Sequence, residues 1–148
     1  MEQRVLVVAI TGILMYPPET AIAEKFEAIV RFGEVNGRIK DFYDIWITTR
    51  TLPFDLPILV EAISGTTRRR ETAFPTEMPV GLTEAFAAVT QKRGLWTGFL
   101  RRTQPSLKPP PFPQLQQDLR LFFGPIVDSL GRPEGAKGRC DQDVGAWH

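Results

Sequence analysis

The stretch YPPETAIAEKFEAIVRFGEVNGRIKDFYDIW, residues 16–46, carries two consecutive helical patterns joined by a short loop. From Pro18, the residues Ile22, Phe26, Ile29, Val30 and Gly33 fall on one side of a helix, while Glu24, Glu27 and Arg31 fall opposite. Pro17 and Pro18 suit the start of that helix and Gly33 its end. Lys25 lies at the border of the apolar face, so its stem can be covered while its ammonium reaches a cleft. After residues 33–37, a second helix is predicted with Ile39, Phe42, Ile45, Trp46 and Thr49 as its inner stripe. Asp41 and Asp44 stand three apart and share one flank of it. In its first turns both carboxylates are favoured by the helix dipole, so a structural capping role accounts for them as well as a chemical one does. A lysine and two aspartates beside apolar faces cost stability unless they pair or do chemistry, which marks this segment as the edge of a site.

Outward from this pair the pattern stays helical. A third helix is expected from Asp55 as N-cap, with Pro57 just inside and Leu59, Ala62 and Ile63 turned inward, ending near Arg68-Arg69-Arg70. Pro75 and Pro79 then interrupt the chain, and Leu82 to Phe86 opens a short amphipathic helix. A further helix over 92–102 turns Leu95, Trp96, Phe99 and Leu100 toward the core. The expected organisation is an apolar strand-like segment at 1–15, a helical domain at 16–104, a Pro-rich connector at 105–113, a terminal helix at 114–130 and a flexible tail at 131–148. Leu115, Leu119, Phe122, Ile126 and Leu130 mark the last helix, kinked or begun anew at Pro125. Trp147 is an aromatic of the tail positioned to dock.

The run VLVVAITGILM, residues 5–15, is about half the ~20 residues that a membrane span needs, so no membrane association is expected. Its Val and Ile content favours a buried strand, although no other segment is convincingly a strand to pair with it. At 148 residues one core is the natural solution. Eighteen basic side chains nearly cancel 17 acidic ones, so no strong overall field draws the chain to nucleic acid. Cys140 is the sole cysteine and His148 the sole histidine, which excludes an internal disulfide and a histidine-built metal site and fits a reducing cytoplasm. The expected fold class is mainly α, a helical bundle-like assembly with one N-terminal strand.

Two strings carry a family resemblance. Glu24-Lys25-Phe26-Glu27-Ala28, preceded by Tyr16 to Ala23, and Lys40-Asp41-Phe42-Tyr43-Asp44, within Asn36 to Trp46, together resemble the AbiEii/AbiGii nucleotidyltransferase-like toxins of abortive-infection toxin–antitoxin systems. The likeness extends through Phe54-Asp55, Thr67 to Arg69, Leu82 to Phe86 and Trp96 to Phe99, and more loosely to Phe122 to Pro125 and Trp147. It implies a nucleotidyltransferase-fold protein whose helical C-terminal part is the region matched here. It further implies magnesium and a nucleoside triphosphate as cofactor and substrate, a cognate antitoxin as partner, and a nucleic acid such as tRNA, or a protein, as acceptor.

Carried over residue by residue, the family's lysine is Lys25 and its aspartate Asp41, with Asp44 and Arg38 as secondary candidates. Lys25 would neutralise phosphate, while Asp41 would act as base or hold its partner. The sequence departs from the family in lacking a Gly-Ser turn followed by paired aspartates, and no aspartate precedes Lys25. The expectation is therefore a truncated or partial transferase, inactive alone, in which no metal ligands are assigned. The rival reading is a non-catalytic helical module that binds an antitoxin or the missing catalytic core. A weaker one is RNA binding through Arg68-Arg69-Arg70, against which three cations at a helix C-terminus are also simply favourable. For Lys25 the plain alternative is a snorkelling lysine paired with Asp41 or Asp44. Arg31 and Arg38 could reach a phosphate or merely solvate a helix face. Trp46, Trp96 and Phe99 read as core, and Cys140 has no neighbour that would activate it.

Overall fold

A computed structural model describes residues 17–130, 138–141 and 146–147, and the expected strand at residues 5–15 lies outside them. The fold is mainly α. Helix α1 spans Pro18–Phe32, α2 Ile39–Thr51, α3 Leu56–Arg69, α4 Glu84–Ala88, α5 Thr90–Thr103 and α6 Phe112–Ser129. Single 3-10 turns at Gly33–Val35 and Val80–Leu82 join them at two corners.

Each boundary follows from local chemistry. Pro18 opens α1, where its missing N–H costs nothing, and Glu19 lies in the first turn beside the positive end of the dipole. Gly33 stops α1 at φ +54°, a conformation that a residue with a Cβ resists. Thr83 caps α4 by accepting a hydrogen bond from the Phe86 backbone N–H at 3.3 Å. Asp55 occupies the predicted N-cap of α3 with Pro57 inside, but its side chain makes no capping bond. Arg38 holds the N-cap position of α2, so neither Asp41 nor Asp44 caps that helix.

Helices α1 and α3 run side by side and form the largest helix–helix contact. Helix α6 packs against them, with Phe123 stacked on Phe26 at 4.5 Å between ring centroids. Its partner ring Phe122 meets Phe54 edge-on at 6.0 Å. A second aromatic column links α5, α6, α2 and α4, as Trp96 packs on Phe112 at 5.3 Å and Phe112 meets Phe42 edge-on at 5.7 Å. Phe86 closes that column against Phe42. The predicted stripe of α2 is buried throughout, and Trp46, Trp96 and Phe99 are core residues as expected. Gly81 lets the second 3-10 turn approach α1, since a Cβ there would lie 2.9 Å from Ile29 Cγ2.

Several expectations need revision. Glu27, assigned to the solvent side of α1, is buried because Arg31 and Thr72 satisfy its carboxylate. Leu95 faces solvent rather than the core. The last helix begins at Phe112, inside the expected connector, and continues through Pro125 without a break. The residue whose carbonyl Pro125 deprives of a helical donor is Leu121, which lies on the solvent side. The tail contributes two short strands, β2 Arg139–Asp141 and β3 Ala146–Trp147, which extend β1 Phe54–Asp55 into an antiparallel sheet in the order β1-β2-β3. Phe54 lies opposite Cys140, and Cys140 opposite Trp147. The Trp147 ring stacks on Phe122 at 5.3 Å, and its indole N–H donates to the Phe122 carbonyl at 2.6 Å, so this aromatic is docked. The rest of the expected flexible tail, at 131–137, 142–145 and 148, lies outside the described residues.

Candidate functional site

Lys25 leaves the second turn of α1 at the edge of its buried face, and its ammonium reaches across to α2. Nζ donates to Asp41 Oδ1 at 3.0 Å and to Asp44 Oδ2 at 3.1 Å. The three-residue spacing puts both carboxylates on the flank of α2 that faces α1, which is why one ammonium serves both. The two aspartates differ in burial, the Asp41 side chain being 8% exposed and that of Asp44 25%. Arg38 Nε stands 2.9 Å from Asp41 Oδ2, within ion-pair distance but not aligned as a hydrogen bond. Lys40 Nζ reaches Asp44 Oδ2 at 3.1 Å from the solvent side. Two carboxylates thus serve three cations. Burial by itself would lower the Lys25 pKa. The hydrogen bonds and charges of Asp41 and Asp44 outweigh it and hold the ammonium above its ordinary value.

Beside this cluster opens a cleft of about 440 Å³, lined by Ala21, Glu24, Lys25, Ala28, Arg31, Arg38 and Arg70. Its charged lining is four cations to one carboxylate. Glu24 is engaged by Arg70 at 2.8 Å. Arg31 is held by Glu27 at 2.9 Å, and its guanidinium stacks over Phe32 at 4.6 Å. An ammonium has three donors, and Lys25 commits two to aspartate, leaving one for a ligand in the cleft. An anion with several oxygens, such as a polyphosphate chain, matches that lining.

The residues do not fit a resident magnesium ion. That ion requires oxygen ligands, and here each carboxylate already faces cations. Among the described residues no group of three His, Cys, Asp or Glu side chains is placed to hold a metal.

The sequence-derived candidates Lys25, Asp41, Asp44 and Arg38 converge on one spot. The run 68–70 does not act as a unit. Arg70 joins the cleft, Arg69 donates to Thr66 at 3.0 Å, and Arg68 lies over the Phe74 ring. Sequence reasoning missed the Glu24–Arg70 link, which spans 46 residues and leaves no local signal. It also missed Lys92, a buried lysine whose ammonium donates to the Asn36 carbonyl at 2.8 Å. Among the described residues no helix is long and apolar enough to cross a membrane.

No curated protein and no solved structure matches the chain significantly. The family model described as "Nucleotidyl transferase AbiEii toxin, Type IV TA system" matches residues 2–118, a span containing the whole Lys25–Asp41 cluster and its cleft. The chain therefore belongs to the AbiEii nucleotidyl transferase toxin family of type IV toxin–antitoxin systems, with an antitoxin as its counterpart.

Proposed function

We propose that this chain provides the triphosphate-gripping half of a nucleotidyl transfer site, in which Lys25 contacts the phosphates and Asp41 holds the lysine in place. The observation that carries this reading is the 3.0 Å contact between Lys25 Nζ and Asp41 Oδ1 at the wall of a cleft rich in guanidinium groups. Burial separates the two roles open to Asp41. A carboxylate only 8% exposed and facing two cations is poorly placed to take a proton from an incoming hydroxyl, whereas it suits fixing an ammonium. Asp44 is the more reachable carboxylate, and Arg31, Arg38 and Arg70 form the rim that balances the remaining phosphate charge.

Magnesium would come with the nucleotide and with ligands other than these residues, since the donor set favours anions. The chain contains no Gly-Ser dipeptide to cradle phosphates. Gripping the triphosphate is thus the part of the chemistry its residues support, and transfer by this chain alone is expected to be negligible. The alternative, a non-catalytic helical module that binds an antitoxin or the missing catalytic core, is favoured by one observation, that Asp41 and Asp44 are both committed to cations. RNA binding through residues 68–70 loses ground because their guanidinium groups diverge.

Isothermal titration of the purified chain with each ribonucleoside triphosphate, and with inorganic triphosphate as competitor, tests the proposal. Binding displaced by inorganic triphosphate and lost in Lys25→Ala is the expected result. A folded wild-type chain that binds none of them would leave the non-catalytic module. In parallel, incubation with labelled triphosphates and tRNA should leave no Lys25-dependent label, and strong labelling that disappears in Lys25→Ala would overturn the claim that the chain grips without transferring.

A further inference from the structure

Lys92 is 5% exposed, and among the described residues the contacts of its ammonium are a backbone carbonyl and the face of the Phe86 ring, not a carboxylate. It sits in the first turn of α5, where the helix dipole also disfavours a cation. Burying an ammonium without a counter-charge is costly, and a methionine of similar length would fill the same space at no such cost.

Its bond leads toward the site. Nζ donates to the Asn36 carbonyl at 2.8 Å, and Asn36, itself 1% exposed, accepts the Arg38 backbone N–H on its side-chain oxygen at 2.8 Å. Arg38 then contacts Asp41, and Asp41 contacts Lys25. Four successive polar contacts therefore connect α5 to the cleft, through the loop that sets where α2 begins.

We propose that Lys92 is a positioning residue for the triphosphate site. By pinning the Asn36 carbonyl it fixes the loop whose asparagine orients Arg38, and hence the angle at which Arg38 and Asp41 present Lys25. This rests on the reading that the cleft receives a triphosphate. A carbonyl accepts the charged donor as well as any neutral one, and the ammonium gives that bond a strength that a neutral side chain lacks.

The test compares Lys92→Met, Asn36→Ala and Arg38→Ala, alone and in pairs. Lys92→Met should melt near the wild-type temperature, because an apolar side chain replaces a buried charge, yet weaken inorganic triphosphate binding about 3- to 30-fold. Asn36→Ala should give a similar loss. Neither should add to the loss of Arg38→Ala, as members of one relay do not act independently. Unchanged affinity in folded Lys92→Met, or losses that simply add to that of Arg38→Ala, would overturn the proposal.

A readout independent of ligand keeps the two claims apart. The Arg38 backbone N–H, which donates to Asn36 Oδ1, should be slow to exchange in nitrogen-15 spectra of the wild type and fast in Lys92→Met and in Asn36→Ala. If the wild type binds no triphosphate but this signal responds, the relay stands and the proposed function fails. If the signal is the same in all three proteins, the relay fails. Should Lys92→Met not fold, Lys92→Gln, whose shorter neutral side chain brings no ammonium to the Asn36 carbonyl, decides both readouts.

Discussion

A double-mutant cycle between Lys25→Met and Asp41→Asn measures how strongly the two helices are joined at the site. Fully exposed pairs are worth about 0 to 1 kcal/mol, while removing one partner of a fully buried pair costs about 3 to 5 kcal/mol. The Lys25–Asp41 pair lies between these limits, with side chains 27% and 8% exposed. Lys25→Met leaves Asp41 buried with only the misaligned Arg38 contact, so the loss should be roughly 1.5 to 3 kcal/mol. Asp41→Asn leaves the ammonium to Asp44, and its loss should be about 1 to 2 kcal/mol. A coupling of about 1 to 2 kcal/mol follows for the pair. The same cycle with Asp44→Asn should give less than about 1 kcal/mol, because Asp44 is more exposed and shares its Oδ2 atom with Lys40. Urea unfolding of the four proteins, with unchanged slopes, supplies the numbers. A Lys25–Asp41 coupling under about 0.3 kcal/mol, or one smaller than that of Lys25–Asp44, would refute the reasoning.

Other consequences are equally direct. Burial pushes the Glu27 carboxyl up, but hydrogen bonds from Arg31 and Thr72 prevail and hold its pKa below the ordinary 4.5. Its stabilisation is therefore complete above pH 4.5 and fades as pH falls through the lower folded value, so Glu27→Gln should show a shallower acid limb in melting temperature against pH. The raised Lys25 pKa works at the other end. Its contribution is whole below its ordinary 10.5 and lost as pH rises through the folded value, a loss that Lys25→Met should lack. Phe26→Ala should cost about 3 to 5 kcal/mol in chemical unfolding, because the ring is fully buried against Phe123. A midpoint equal to that of the wild type would count against the α1–α6 packing.

Helical periodicity made much of the fold legible. Ile22, Phe26 and Ile29, then Ile39, Phe42 and Ile45, repeat strongly enough to set the buried faces, and prolines and Gly33 mark the ends. What escaped were features with no period. Strands of two or three residues are too short to show alternation, and the partners of β1 lie more than 80 residues away in a segment of loop-like composition. Glu27 read as a surface residue because Arg31, one turn on in α1, is a partner that an exposed carboxylate would have as well, while Thr72, 45 residues away, leaves no mark on a helical wheel. Lys25, Asp41 and Asp44 were legible as a group for a physical reason, since charges bordering two adjacent apolar stripes must meet when the stripes pack. Arg70 and Lys92 were not, because long-range folding alone brings them to the cleft and to its supporting loop.

The central claim is that the Lys25 ammonium, anchored by Asp41, faces a phosphate ligand with its remaining donor. Side-chain nitrogen-15 NMR of the lysine ammonium groups, recorded while inorganic triphosphate is added, addresses it most directly. A Lys25 resonance that shifts in a saturable manner, and that disappears in Lys25→Met, is the predicted result. A Lys25 resonance that stays fixed while other lysines move would place the anion elsewhere and contradict the account.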